Sequence, residues 1–147
     1  MTQTNAQEDP ARPVVPISKD TLMSLKEHEA TIIEKAVEAS MRRTDEVAHH
    51  GEEAVSLISS GMQFTLKMVE TAMSFGDLAI LDDEIRWALD RLPHDGVLPE
   101  HIVSRFEILK RVIRDVLLPE QAAQIVPYFE WMEARISRGS LPETSYL

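Results

Sequence analysis

Hydrophobic positions recur at steps of three and four along most of the chain, and this spacing predicts α-helices throughout. Glycine is scarce and the period-two alternation of a half-buried strand is missing. The last helical segment contains Pro127, which either kinks that helix or starts a further short one. We therefore predict an all-α fold, a compact bundle of five or six helices over residues 17–138.

Capping residues predict several helix boundaries. Ser18 is suited to cap the first helix, which we expect to run to about Arg43. Gly76 is suited to the left-handed position that ends the second helix. Pro99 and Pro119 each suit the first turn of a later helix, where the missing backbone N–H costs nothing.

The second helix carries apolar residues on two sides and is predicted to be the centre of the bundle. One seam consists of Val55, Ile58, Met62, Leu66, Val69 and Met73. The other stripe consists of Leu57, Phe64, Met68 and Ala72. Gly51, near the start of this segment, indicates either a break or a weak position within it.

Both ends of the chain are predicted to be disordered tails. The segment 1–16 contains closely spaced prolines and has little to bury, and 139–147 is rich in polar residues. The N-terminal residues lack the basic and apolar regions of a secretory signal. No stretch approaches the roughly 18 to 20 apolar residues that span a bilayer. We expect a cytoplasmic protein that does not insert into a membrane.

Charge and composition exclude several classes of function. The formal charge is −10, from 25 acidic and 15 basic residues, so nucleic acid is not an expected partner. The absence of cysteine excludes disulfides, thiolate metal sites and cysteine nucleophiles. No glycine-rich phosphate loop and no Gly-x-Ser-x-Gly motif occurs, and no catalytic residue is predicted.

One Glu-x-x-His unit, Glu46 to His49, places a carboxylate and an imidazole on one helix face. Di-iron carboxylate bundles use two such units and two further glutamates, and a second unit is not present. The simpler interpretation is a solvated first helical turn, in which Glu46 complements the helix dipole. A carboxylate and histidine metal enzyme remains an alternative, with these two residues as its candidate ligands.

Methionine and aromatic side chains make adaptable apolar surfaces that can hold a ligand or build an ordinary core. The candidates for lining a ligand pocket are Met62, Phe64, Met68, Trp87 and Phe106. No cofactor is predicted outright, but a protein that binds haem, another tetrapyrrole or a lipid is a second alternative. The histidines argue against haem, because none has the apolar helical setting of a proximal ligand.

The two tryptophans, Trp87 and Trp131, are candidates for an interface, because an indole N–H needs a partner and often lies at an edge.

Four short segments resemble helical regulatory modules of bacteria. These segments are Phe75-Gly76-Asp77, Trp87-Ala88, Gly96-Val97-Leu98-Pro99 and Leu117-Leu118-Pro119. One similar group is the globin-like, haem-free N-terminal sensor domain of RsbR-type stressosome proteins. The other is the helical cap that precedes cobalamin-binding domains in bacterial regulators. The resemblance covers roughly 45–136 and implies a globin-like helical arrangement with a sensory role, without a catalytic motif to transfer.

These observations together favour a non-catalytic sensory or regulatory domain that acts through protein–protein interaction. A homodimer is the expected assembly. The alternatives, an apolar-cofactor binding protein and a metal enzyme, depend on the pocket candidates and on the Glu-x-x-His unit respectively.

Overall fold

The computed structural model describes residues 17–139, without the side chains of residues 44–46, 95 and 138–139. Within that range there are seven α-helices and no strand. The helices are α1 (Lys19–Glu27), α2 (Glu29–Ser40), α3 (Thr44–His50), α4 (Ala54–Phe75), α5 (Ala79–Arg91), α6 (Pro99–Val116) and α7 (Pro119–Gly139). Short 3-10 turns, Gly51–Glu53 and Leu92–Asp95, precede α4 and follow α5. The predicted all-α bundle is confirmed. The first predicted helix corresponds to α1 and α2, and the second to α3 and α4, which are separated at Gly51.

The predicted capping residues occupy the expected positions. The Ser18 side chain accepts a hydrogen bond from the Thr21 backbone N–H, as an N-cap should. Gly76 lies in the left-handed region with φ 61° and ends α4. The two prolines, Pro99 and Pro119, stand at the first positions of α6 and α7.

Two features of the first predicted helix differ from expectation. His28 interrupts it with φ −102° and ψ 9°, so that α1 and α2 are separate helices. The His28 ring nitrogen Nδ1 lies 2.8 Å from the Ser24 carbonyl oxygen, which ties the break to the preceding turn. α2 ends at Ser40, three residues before the end predicted for the first helix at Arg43.

The central position of α4 is confirmed for one of its two apolar sides. Its first seam is buried except at Val55 in the first turn, which is 52% exposed, whereas Ile58, Met62 and Leu66 are fully inaccessible to solvent. The helix packs chiefly against α2 and α5. Its second stripe is covered only in part, because Phe64 remains 52% exposed. This half-covered side of α4 borders a cavity.

The remaining helices close the bundle around the core. α6 packs chiefly against α2 and α7, and α7 also contacts α5. Phe106 of α6 and Phe129 of α7 meet edge to face, with ring centroids 5.7 Å apart. α7 continues through Pro127 as one helix, so this proline does not start a further short helix.

Of the predicted tails 1–16 and 139–147, Gly139 is the last residue of α7, and the remaining residues lie outside the described part of the chain. Among the described helices, none combines the length and apolar character that crossing a bilayer requires.

Candidate functional site: an apolar cavity beside the central helix

A cavity of about 310 Å³ opens between α4, α5 and α6. The segment that joins α5 to α6 contributes Leu92 and Val97 to its wall, and α7 contributes Ile136. This volume lies at the small end of the range for ligand sites, which are typically apolar with a few polar groups. The site therefore suits a compact ligand.

Four of the five predicted pocket residues line this one cavity. They are Phe64 and Met68 of α4, Trp87 of α5 and Phe106 of α6. The fifth, Met62, is fully buried and is not among the lining residues. It belongs to the first seam of α4, because a step of two residues turns a helix by about 200°. The structure thus divides the methionine and aromatic candidates between the core and the cavity.

The two tryptophans occupy different environments. Trp87 is 52% exposed and lines the cavity, whereas Trp131 is 7% exposed and belongs to the core. The Arg135 guanidinium carbon lies 5.7 Å from the centre of the Trp131 ring, an arrangement that suits a cation–π contact. Of these two interface candidates, Trp87 is the one with substantial exposed surface.

A buried arginine lies in the wall of the cavity. Arg105 of α6 lines it and is only 7% exposed. A Cβ placed on Gly61 of α4 would lie 2.6 Å from Arg105 Nη1, closer than real Cβ contacts come. The missing side chain at Gly61 therefore gives the guanidinium its place beside α4.

Arg105 was not among the predicted site residues, although the sequence carries a signal for it. It lies three residues after Ile102 and four before Leu109, so it falls on the apolar face of α6. A charged residue on such a face, together with a glycine in the middle of a central helix, is unusual. The pairing of the two depends on how α4 and α6 pack, which periodicity does not show.

The other polar groups of the wall differ in how they are engaged. The Thr65 hydroxyl donates to the Gly61 carbonyl oxygen at 2.9 Å, which satisfies it within α4. Glu84 of α5 is half-buried and is a carboxylate in the lining. The cavity therefore carries one buried cationic group and one partly exposed anionic group on otherwise apolar walls.

Three histidines meet near the start of α6. The ring centroids of His49, His50 and His101 are 4.9 to 5.4 Å apart. His49 Nε2 lies 2.7 Å from the Gly96 carbonyl oxygen, and the Leu98 N–H donates to His101 Nδ1 at 3.2 Å. These contacts fasten the segment before α6, which includes the cavity residue Val97.

The histidine arrangement bears on the predicted metal ligands. The side chain of Glu46 is outside the described residues, so its pairing with His49 is not described. In the described part of the chain, no three histidine or carboxylate side chains are grouped as metal ligands. His101 Nδ1 accepts a backbone N–H, which places its ring proton on Nε2 and makes the ring a poor ligand in this state.

A buried lysine is surrounded by carboxylates between α6 and α7. Lys110 Nζ lies 2.9 Å from both Glu107 and Glu133, and 3.9 Å from Glu130. Burial raises the pKa of Glu133 to about 7, and the neighbouring Glu107 adds to this. Burial alone would lower the pKa of Lys110, but the hydrogen bonds to Glu107 and Glu133 outweigh it and leave that pKa raised.

A second charged cluster lies between α2 and α4. Lys67 Nζ is 3.2 Å from Glu29 and 3.7 Å from Glu70. Burial first, and then the nearby Glu29, raise the pKa of Glu70 to about 7. None of the residues of these two clusters lines the cavity. They are ion pairs that join neighbouring helices.

Neither the protein-family models nor the curated proteins give a match to this chain. Its function has therefore to be inferred from the cavity and the surface around it.

Proposed function

We propose that this chain is a non-catalytic sensory or regulatory domain that binds a compact apolar ligand in the cavity and responds through a protein partner. The observation that supports this most directly is the cavity itself, whose walls are mostly apolar side chains from four helices. Ligand sites of this kind are concave and mostly apolar, with a few polar groups that orient the ligand.

The position of the cavity links ligand binding to the surface. Phe64 and Trp87 line the cavity and are also half exposed, so the same side chains contact the ligand and the solvent. A ligand that binds one arrangement of α4 and α5 better than another shifts the population toward that arrangement. A partner that contacts these two residues would sense the shift, and the partner that we propose is a second copy of the chain.

The resemblance to haem-free, globin-like sensor domains of bacteria favours the same function and a cytoplasmic location. The haem alternative receives little support, because no histidine is among the described residues that line the cavity. A small organic ligand suits the walls better than an iron porphyrin does.

Native mass spectrometry of the chain purified from its own host tests this proposal, because it reports bound ligand and stoichiometry together. We expect a bound organic mass in the natural protein. Ala88→Phe should remove it, because Ala88 lines the cavity and a phenyl ring would fill the space. Ala79→Phe is the matched control, since it adds the same ring at an exposed position of α5 outside the lining.

The proposal fails if the natural chain carries no extra mass and acquires none from a host extract. It also fails if the Ala88→Phe protein, folded by circular dichroism, keeps the same ligand as the Ala79→Phe protein.

A further inference from the structure

The ligand class follows from the charge in the cavity wall, and the argument rests on the proposed function. Arg105 is buried beside α4 and is also one of the lining residues. Because a guanidinium stays charged in proteins, Arg105 gives the otherwise mostly apolar wall a cationic position. A cavity that retains such a group beside phenyl and thioether side chains is suited to a ligand that is apolar at one end and anionic at the other.

The guanidinium can serve the chain and a ligand together. Arg105 already interacts within the chain. Because a guanidinium has five N–H donors in a planar fork, a ligand carboxylate can share it with a partner inside the chain. The same fork matches the two oxygens of a carboxylate in a bidentate pair.

We infer that the ligand is an amphipathic monocarboxylate whose head group pairs with Arg105. Its apolar part lies against Phe64, Met68 and Phe106, which line the same cavity. Glu84, the carboxylate in the lining, disfavours a second anionic group on the ligand. The small volume favours a short or medium-length chain over a long one.

The overall charge of the protein makes this inference sharply testable. At −10, the field of the whole molecule attracts cations and repels anions. Unspecific binding of amphiphiles would therefore favour a cationic head group. Preference for a carboxylate would have to come from a local positive group in a poorly solvated site, where charges interact most strongly.

Isothermal titration calorimetry of the full chain with octanoate, octanol and octylammonium tests the inference. The three probes share an alkyl chain and differ in the charge of the head group. We expect octanoate to bind at least about tenfold more tightly than either of the others, as a charge-assisted pair provides. Equal or tighter binding of octanol or octylammonium would overturn the inference, while leaving the proposed apolar site standing.

Variants of Arg105 identify the group responsible. Arg105→Met keeps an apolar chain of similar length, and we expect it to weaken octanoate binding about tenfold or more without weakening octanol. Arg105→Lys keeps the charge and should retain part of the preference for octanoate. Arg111→Met is the matched control, since it makes the same substitution at an exposed position of α6.

The variants also separate failure of this inference from failure of the proposed function. If the folded Arg105→Met and Arg111→Met proteins bind octanoate equally, Arg105 is not the anion site and the inference is wrong. If no alkyl probe binds the natural chain, the inference is also wrong. The proposed function is then judged by the native mass spectrum alone.

Discussion

Tyr128 places a phenol hydroxyl in the core of the bundle without a hydrogen-bond partner among the described residues. Burial also raises the pKa of this phenol, which therefore stays protonated at neutral pH. A buried hydroxyl that gives up its hydrogen bonds to water costs about 1–3 kcal/mol when nothing replaces them. The hydroxyl therefore costs stability, whereas the buried ring contributes to the core.

Tyr128→Phe should raise the free energy of unfolding by about 1 kcal/mol, because it removes the unpaired hydroxyl and keeps the ring. Urea denaturation of the two proteins at neutral pH measures the difference. A variant that is less stable than the natural chain would show that the hydroxyl is hydrogen-bonded in solution, and would contradict the explanation.

Alanine in place of two glycines should have different effects. Gly61→Ala adds helix propensity worth about 0.5–1 kcal/mol but displaces the Arg105 guanidinium. We expect little loss of stability and weaker octanoate binding. Gly76→Ala meets no neighbouring atom, yet it puts an alanine at a positive φ and should cost about 1–2 kcal/mol without changing octanoate affinity. Thermal denaturation and calorimetry of both variants separate these effects, and equal losses of affinity would contradict them.

At the scale of the helices, the α6–α7 and α2–α4 contacts each contain a glutamate whose pKa is raised in the folded state. For Glu133 and Glu70 that pKa is about 7, against 4.5 for an ordinary glutamate. In this interval the folded protein binds more protons than the unfolded chain, so its stability falls as pH rises. The pKa of Glu107 is lowered instead, so this residue changes the stability of the fold at pH values below this interval.

We predict that the free energy of unfolding falls between about pH 4.5 and pH 7 and is then less sensitive to pH. Glu133→Gln should reduce this fall, because Lys110 keeps Glu107 as a partner at 2.9 Å. Glu70→Gln should do the same at the other contact, and the double variant should show the smallest slope. Denaturation at a series of pH values measures the slopes, and a double variant with an unchanged slope would refute the assignment.

Much of the helical architecture could be predicted because its signals are local. Ser18, Gly76 and the two helix-starting prolines act within a few residues of their own positions. The break at His28 has no such signal, since neither glycine nor proline occurs there. The observed end of α2 at Ser40 likewise comes before the predicted one. Tertiary packing can override local helix propensity, and α2 packs against α4 and α6, which the sequence pattern does not show.

The candidate site could be predicted in its apolar part only. Large apolar residues near the central helix were identified, and four of them line the cavity. Arg105 was missed because its place depends on Gly61, a residue 44 positions away on another helix. Trp131 could not be distinguished from Trp87 by its neighbours in sequence, because both lie in amphipathic helices and only the packing of α7 buries one of them.

At the scale of the whole molecule, apolar side chains remain exposed at several separate places. The large ones include Met23, Val55, Phe64, Phe75, Trp87 and Leu118. Scattered exposed residues are normal for a protein surface. Phe64 and Trp87 differ from the others because they share the rim of one cavity. This is the part of the surface best suited to the expected homodimer.

We predict that size-exclusion chromatography with light scattering gives twice the mass of one chain at tens of micromolar. Trp87→Ala should shift the equilibrium toward the monomer, because it removes the largest exposed side chain beside the cavity. Phe75→Ala is the control, as it removes an exposed ring at the end of α4 that does not line the cavity. A natural chain that is monomeric at this concentration would count against the dimer.

The contrast between the two tryptophans also gives the protein an optical reporter of its own. The indole of Trp87 is half in water, whereas that of Trp131 is enclosed by the core. The fluorescence of the protein should therefore contain a red-shifted component from Trp87, which acrylamide can quench, and a blue-shifted component from Trp131, which is shielded. A molecule that enters the cavity contacts Trp87, which lines it, and not Trp131. Changes in emission at the red edge would then follow occupancy in real time, without any attached dye.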